Sequence, residues 1–150
     1  RKWASARCIR RFRPSSPGGS AASKCAVMIL VDTNVWIDHL HRTEPELSEL
    51  LMSDEICCHD LVLTELALGS LKKRNEFLSA LSELKQLPTV DDHEVRWFIE
   101  KRKLWGRGLS AVDVHLLASV VVVPGTTLWT RDKRLRDVAQ DLGCRFENDG

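Results

Sequence analysis

The stretch MILVDTNVWIDHL, residues 28–40, decides how the rest of the chain is read. Its first four residues, Met28–Val31, form an apolar run with no polar face, and such a short run reads as a strand buried on both sides. Asp32 closes the run, and Thr33 and Asn34 offer side-chain oxygens to cap a helix that continues to about His41. A buried strand, an acid at its carboxyl end and a helix make the opening unit of a parallel α/β sheet. In such sheets, sites form beyond the carboxyl ends of the strands.

Working outward, Leu47, Leu50 and Leu51 line one side of a short helix over 46–52, and 55–58 reads as a second strand. Asp60 opens a helix to residue 68, with Gly69 as its stop. Phe77, Leu81 and Leu84 recur at i, i+4, i+7 and predict an amphipathic helix over 74–87, ended by Pro88. Residues 89–90 suggest a small strand. Asp91 or Asp92 caps a helix reaching about Trp105, and Ser110 starts another that carries Val114, Leu117, Ala118 and Val121 on one stripe. Pro124-Gly125 turns the chain into a strand at 127–129. A last helix over 132–142 ends at Gly143, and 145–146 reads as a terminal strand. Short strands alternating with helices give a three-layer α/β/α sandwich with a mostly parallel sheet. Asp132, just past a strand, then shares a rim with Asp32.

Composition fits a single soluble globular domain: 150 residues, 43% hydrophobic and 29% charged. The net charge of +1 conceals an asymmetry. Residues 1–27 hold seven basic groups and no acid, leaving 15 basic against 21 acidic groups, net −6, in 28–150. We expect 1–27 to be a disordered basic N-terminal extension, Met28 to mark the natural start, and 28–150 to be the folded domain. Five cysteines, an odd number with no C-x-x-C spacing, read as buried small residues in a reducing compartment. No apolar run approaches the roughly 20 residues of a membrane span. The expectation is a soluble, cytoplasmic protein.

Taken singly, three acids have ordinary structural uses. Asp32 suits a helix cap, Asp113 completes an S-x-x-D capping box with Ser110, and Asp132 suits a first helical turn. Glu65 is different. Leu61, Val62, Leu63, Leu66, Ala67 and Leu68 surround it with no Lys or Arg within four residues, so it is expected to be buried and to need a distant partner. Were the four to converge, two charges roughly 4 Å apart would repel by about 4 kcal/mol at an effective dielectric near 20. Divalent cations would relieve that repulsion. Oxygen ligands favour Mg²⁺ or Mn²⁺, one or two ions, over zinc, and carboxylate-held Mg²⁺ suits phosphodiester cleavage.

MILVDTNVWIDHL, LVLTELALG (61–69), GLSAVDVHLLAS (108–119) and LWTRDKRL (128–135), in this order, resemble the PIN-domain nucleases, and among them the VapC toxins of toxin–antitoxin pairs. The resemblance spans nearly all of 28–150 and none of 1–27. It implies a PIN-like fold with Asp32, Glu65, Asp113 and Asp132 as catalytic and metal-holding acids, and Thr33, Asn34, Ser110 and Thr130 as groups supporting them. It further implies an endoribonuclease cutting tRNA or rRNA, inhibited by a cognate antitoxin and assembled as a homodimer.

Other residues are read more plainly. Lys101, Arg102, Lys103 and Arg107, with Lys133, Arg134 and Arg136, form solvated helix faces; Arg131, beside Asp132, is the one expected to meet a phosphate. The histidines show no ligand spacing, and His115 is structural. Trp36, Trp97, Trp105 and Trp129 are assigned to core or dimer packing in preference to base stacking. Three alternatives stay open. A haloacid-dehalogenase-type phosphatase would need a second Asp where Asn34 stands. A Mg²⁺-binding receiver-like signalling module would leave Glu65 idle, and a non-catalytic PIN-like interaction domain would not need intact acids.

Overall fold

In the computed structural model of the chain, residues 27–148 are described. The expected basic extension therefore lies, but for Val27, outside the described residues. Those described form four strands and seven helices. In chain order they are β1 (Met28–Val31), α1 (Thr33–His41), α2 (Pro45–Met52), β2 (Ile56–Cys58), α3 (Asp60–Ala67), α4 (Arg74–Ser82), β3 (Lys85–Gln86), α5 (Asp92–Arg102), α6 (Ala111–Val122), β4 (Thr126–Trp129) and α7 (Lys133–Asp141).

The sheet runs β3-β2-β1-β4 with every pair parallel, which bears out the α/β reading. β1 is central, Ile29 facing Ile56 on one side and Thr127 on the other. All its residues are buried, as in a strand covered on both faces. The helices pack beside and onto the sheet: α3 against α1 and α4, α6 against α5 and β4, and α7 against β4. Trp36, Phe98, Leu30, Leu116 and Leu117 are fully enclosed. Each such side chain contributes about 1.5–3 kcal/mol through burial.

Several local expectations need correction. The helix predicted over 74–87 stops at Ser82, because Lys85–Gln86 pairs with β2 and Leu87 N donates to Cys58 O. Edge pairing satisfies backbone groups that another helical turn would have taken, while Leu81 still reaches the core. No strand forms at 89–90, and 145–146 contributes a single parallel bridge, Leu128 with Arg145. Gly69 is not among the positive-φ glycines, and α3 ends on Leu68 in ordinary right-handed geometry. α5 ends at Arg102, where Lys103 turns left-handed. Among the described residues no helix is long and apolar enough to cross a membrane.

Candidate active site

The site is built around Asp32. Asp32 N donates to Trp129 O at 2.9 Å, so the acid leaves the sheet where β1 and β4 end together. Of the caps the sequence offers, Asp32 and not Thr33 or Asn34 caps α1: its Oδ1 accepts from Thr33 N at 2.7 Å. Its Oδ2 accepts from Thr130 Oγ1 at 2.7 Å and from Asn34 Nδ2 at 3.3 Å. Asp32 is 6% exposed, and burial raises its carboxyl above the usual range. The bonds from Thr130 and Thr33 pull the other way, and the charges of Asp113 and Glu65 push it up further. Three of the four expected acids therefore share one electrostatic locus.

Glu65 is not buried. α3 turns it outward, and its Oε1 accepts from Thr33 Oγ1 at 2.8 Å. The apolar composition around it misled, since Leu68 on the same helix is 85% exposed. The acid with a buried, unfavourable charge is Asp32, not Glu65. Asp113 is half-buried and completes the capping box: Ser110 Oγ accepts from Asp113 N at 3.1 Å, and Asp113 Oδ2 from Ser110 N at 3.0 Å.

Asp132 joins the site through Thr130 rather than through its own charge. Asp132 N donates to Thr130 Oγ1 at 3.1 Å, while Asp132 Oδ1 accepts from Arg134 N and Leu135 N to cap α7. The convergence of four acids is thus partial. Among the described residues, no three Asp, Glu, His or Cys side chains are drawn into a ready-made metal shell. Each carboxylate is turned instead to a local donor.

Thr130 is the hub: it donates to Asp32, accepts from Asp132 N, and receives Asn34 Nδ2 at 3.4 Å. Asn34 Oδ1 in turn accepts from Arg131 N at 3.1 Å. Thr130→Val keeps the shape and deletes the hydroxyl, leaving a buried carboxylate oxygen and an N–H short of a partner. The expected outcome is a loss of about 2 kcal/mol, read as a lower urea midpoint at unchanged slope.

Arg131, expected to meet a phosphate, is committed elsewhere. Its Nε lies 2.6 Å from Asp38 Oδ2 and its Nη2 3.0 Å from Glu44 Oε2, bracing the end of α1 and the start of α2. The remaining residues are placed more simply. Cys57, Cys58 and Cys144 are buried free thiols, held by burial at about 12, 11 and 12. Trp36 and Trp129 pack in the core, meeting Phe77 and Phe146, whereas Trp105 is exposed. His115 bonds Asp92 at 3.0 Å. Sequence reading missed His59, which is fully enclosed and caps α3 through Nδ1. No local signal marks it, because its other partner, Ser119, is 60 residues away.

A family model described as PIN domain matches residues 29–141 of this chain. Among curated relatives, Ribonuclease VapC32 of Mycobacterium tuberculosis is 53% identical over 116 residues, covering 77% of this chain and 94% of that protein. The same figures hold for a second strain of that organism.

Proposed function

Because the chain belongs to the PIN domain family, we propose that it is a metal-dependent endoribonuclease that hydrolyses RNA phosphodiester bonds, the toxin of a toxin–antitoxin pair. The observation that carries the reading is the Asp32 carboxyl, buried at the end of the central strand and raised further by Asp113 and Glu65. The similarity to a protein named a ribonuclease supports the same activity.

The donors fit a hard divalent cation in kind, since every side chain offered is a carboxylate or hydroxyl oxygen and the buried charge at Asp32 is one that a cation offsets. We assign Asp32, Glu65 and Asp113 as ligands for Mg²⁺ or Mn²⁺, with Asp132 contributing the oxygen its helix cap leaves over. Bound there, the ion supplies an acidified water and a clamp on the reacting oxygens. The chain's own residues do the positioning. Thr130 and Asn34 fix Asp32, Thr33 holds Glu65, Ser110 holds Asp113, and Arg131 braces the α1–α2 turn beside them. The reading extends to tRNA or rRNA as substrate, a cognate antitoxin as inhibitor, a homodimer, and a cytoplasmic setting for the domain at 28–150.

Incubating the purified chain with total RNA tests this. Discrete cleavage with Mg²⁺ or Mn²⁺ that EDTA abolishes and added metal restores is the expected result. RNA left intact under every metal condition would favour the non-catalytic interaction domain instead.

A further inference from the structure

Two arginines flank Asp132, and the structure treats them differently. Arg131 is closed off by Asp38 and Glu44. Arg134, in the first turn of α7, is exposed and makes no side-chain hydrogen bond or ion pair among the described residues. Its side chain nevertheless lies against one particular backbone position. Gly108 adopts φ +77°, and the Arg134 side chain lies directly over it. A Cβ at Gly108 would stand 2.7 Å from Arg134 Nη1, 2.8 Å from Cδ and 3.1 Å from Cζ. A residue with a side chain would be strained in that conformation, and the flexible Arg134 side chain would have to move off it.

The contact joins two acid-bearing segments. Gly108 precedes Ser110 by two residues in the loop that delivers Asp113, and Arg134 N is itself held by Asp132 at 2.9 Å. Asp132 already takes the Arg134 and Leu135 backbone donors at the start of α7, which leaves the Arg134 guanidinium as the anion-binding group that reaches across to the Gly108 loop. A planar fork of N–H donors laid against glycine backbone suits a phosphodiester oxygen pair.

We propose that Arg134, laid over Gly108, binds a backbone phosphate of the RNA beside the acidic site. The proposal rests on the ribonuclease reading. It also sets one positive group near the acids in a domain whose net charge over residues 28–150 is −6. Arg134 is a substrate-binding residue here and takes no part in bond cleavage.

Binding and cleavage are measured separately, so the two readings fail separately. Affinity for a short fluorescent single-stranded RNA is followed by anisotropy across a salt series, in the Asp32→Asn background so that the RNA stays whole. Adding Arg134→Ala is expected to weaken binding about tenfold. It should also make the slope of log affinity against log salt shallower by about 0.7, the share of one phosphate contact on a single strand. Arg134→Lys should restore the slope but not the full affinity, and Lys85→Ala, which removes an exposed charge at the opposite sheet margin, should keep the parental slope. Thermal melts confirm that each variant is folded. Parental affinity and slope in Arg134→Ala would overturn the proposal, as would an equal slope change in Lys85→Ala or a lysine that restores no slope. A parent chain that never cleaves RNA would instead sink the ribonuclease reading.

Discussion

Asp32→Asn is expected to cut metal-dependent RNA cleavage by about 10³-fold or more while leaving the melting temperature within about 5 °C of the parent. The two halves of that expectation have different origins. Activity depends on negative charge at the end of β1, and the substitution removes it. Stability depends on the hydrogen bonds around the residue, most of which asparagine can rebuild. Its carbonyl can still accept from Thr33 N and cap α1, as Asp32 Oδ1 does at 2.7 Å. Its amide nitrogen faces two donors, Thr130 Oγ1 and Asn34 Nδ2, which costs about one hydrogen bond. Against that stands a gain. Burial and the neighbouring carboxylates raise the folded-state pKa of Asp32, so the ionised form lowers stability as pH rises through that raised value. The neutral amide escapes this penalty, and the two effects offset. A cleavage assay beside a thermal melt checks both halves, and a variant that melts far below the parent would show that Asp32 is chiefly structural.

The second large effect is acid instability centred on His59. Ser119 Oγ donates its only hydrogen to Pro88 O at 2.7 Å, so towards His59 Nε2, 2.9 Å away, it must accept. Nε2 therefore carries the proton and Nδ1 is bare, free to accept from Leu61 N at 3.0 Å. The ring is locked as one neutral tautomer. A second proton would face an N–H, remove the cap of α3 and bury a cation. Burial is the main cause that lowers this pKa from 6.5 to about 4; nearby His115 lowers it further, and Asp60 opposes. The unfolded chain takes up the proton near 6.5 and the folded chain only near 4. Stability from this group is thus complete above pH 6.5 and falls by about 3 kcal/mol as pH drops to 4. Urea midpoints at pH 7, 5 and 4 should show the fall, and His59→Asn, which keeps a capping acceptor, should flatten it from a lower starting stability. Parallel profiles for the two proteins would refute the assignment.

How much of this was legible beforehand depended on how far apart the partners lie in the chain. β1 and its terminal acid, the Ser110–Asp113 capping box and the parallel sheet could all be read from neighbouring residues. Glu65 could not: a helix apolar on nearly every side gives no hint which face meets solvent, and that is settled by what packs against it. Arg131 could not either, because Asp38 and Glu44 lie far from it in the sequence and meet it only in the fold. β3 was hidden by the helical repeat of Phe77, Leu81 and Leu84 just before it, and only pairing with β2 reveals it. His59 depends on a serine brought to it by α6.

The margins of the sheet carry a last consequence. At one margin β3 offers only Lys85 and Gln86, both exposed. At the other, Leu128 N donates to Cys144 O at 2.7 Å and accepts Phe146 N on its carbonyl at 2.9 Å, so the incoming tail occupies β4's open side. Among the described residues, neither border presents a long row of vacant amides and carbonyls for a foreign chain to zip onto. Strand addition at either border is thereby disfavoured, which leaves side chains on helices and loops as the surface where specificity can be written residue by residue, and the sheet resists fibrous growth when the protein is crowded.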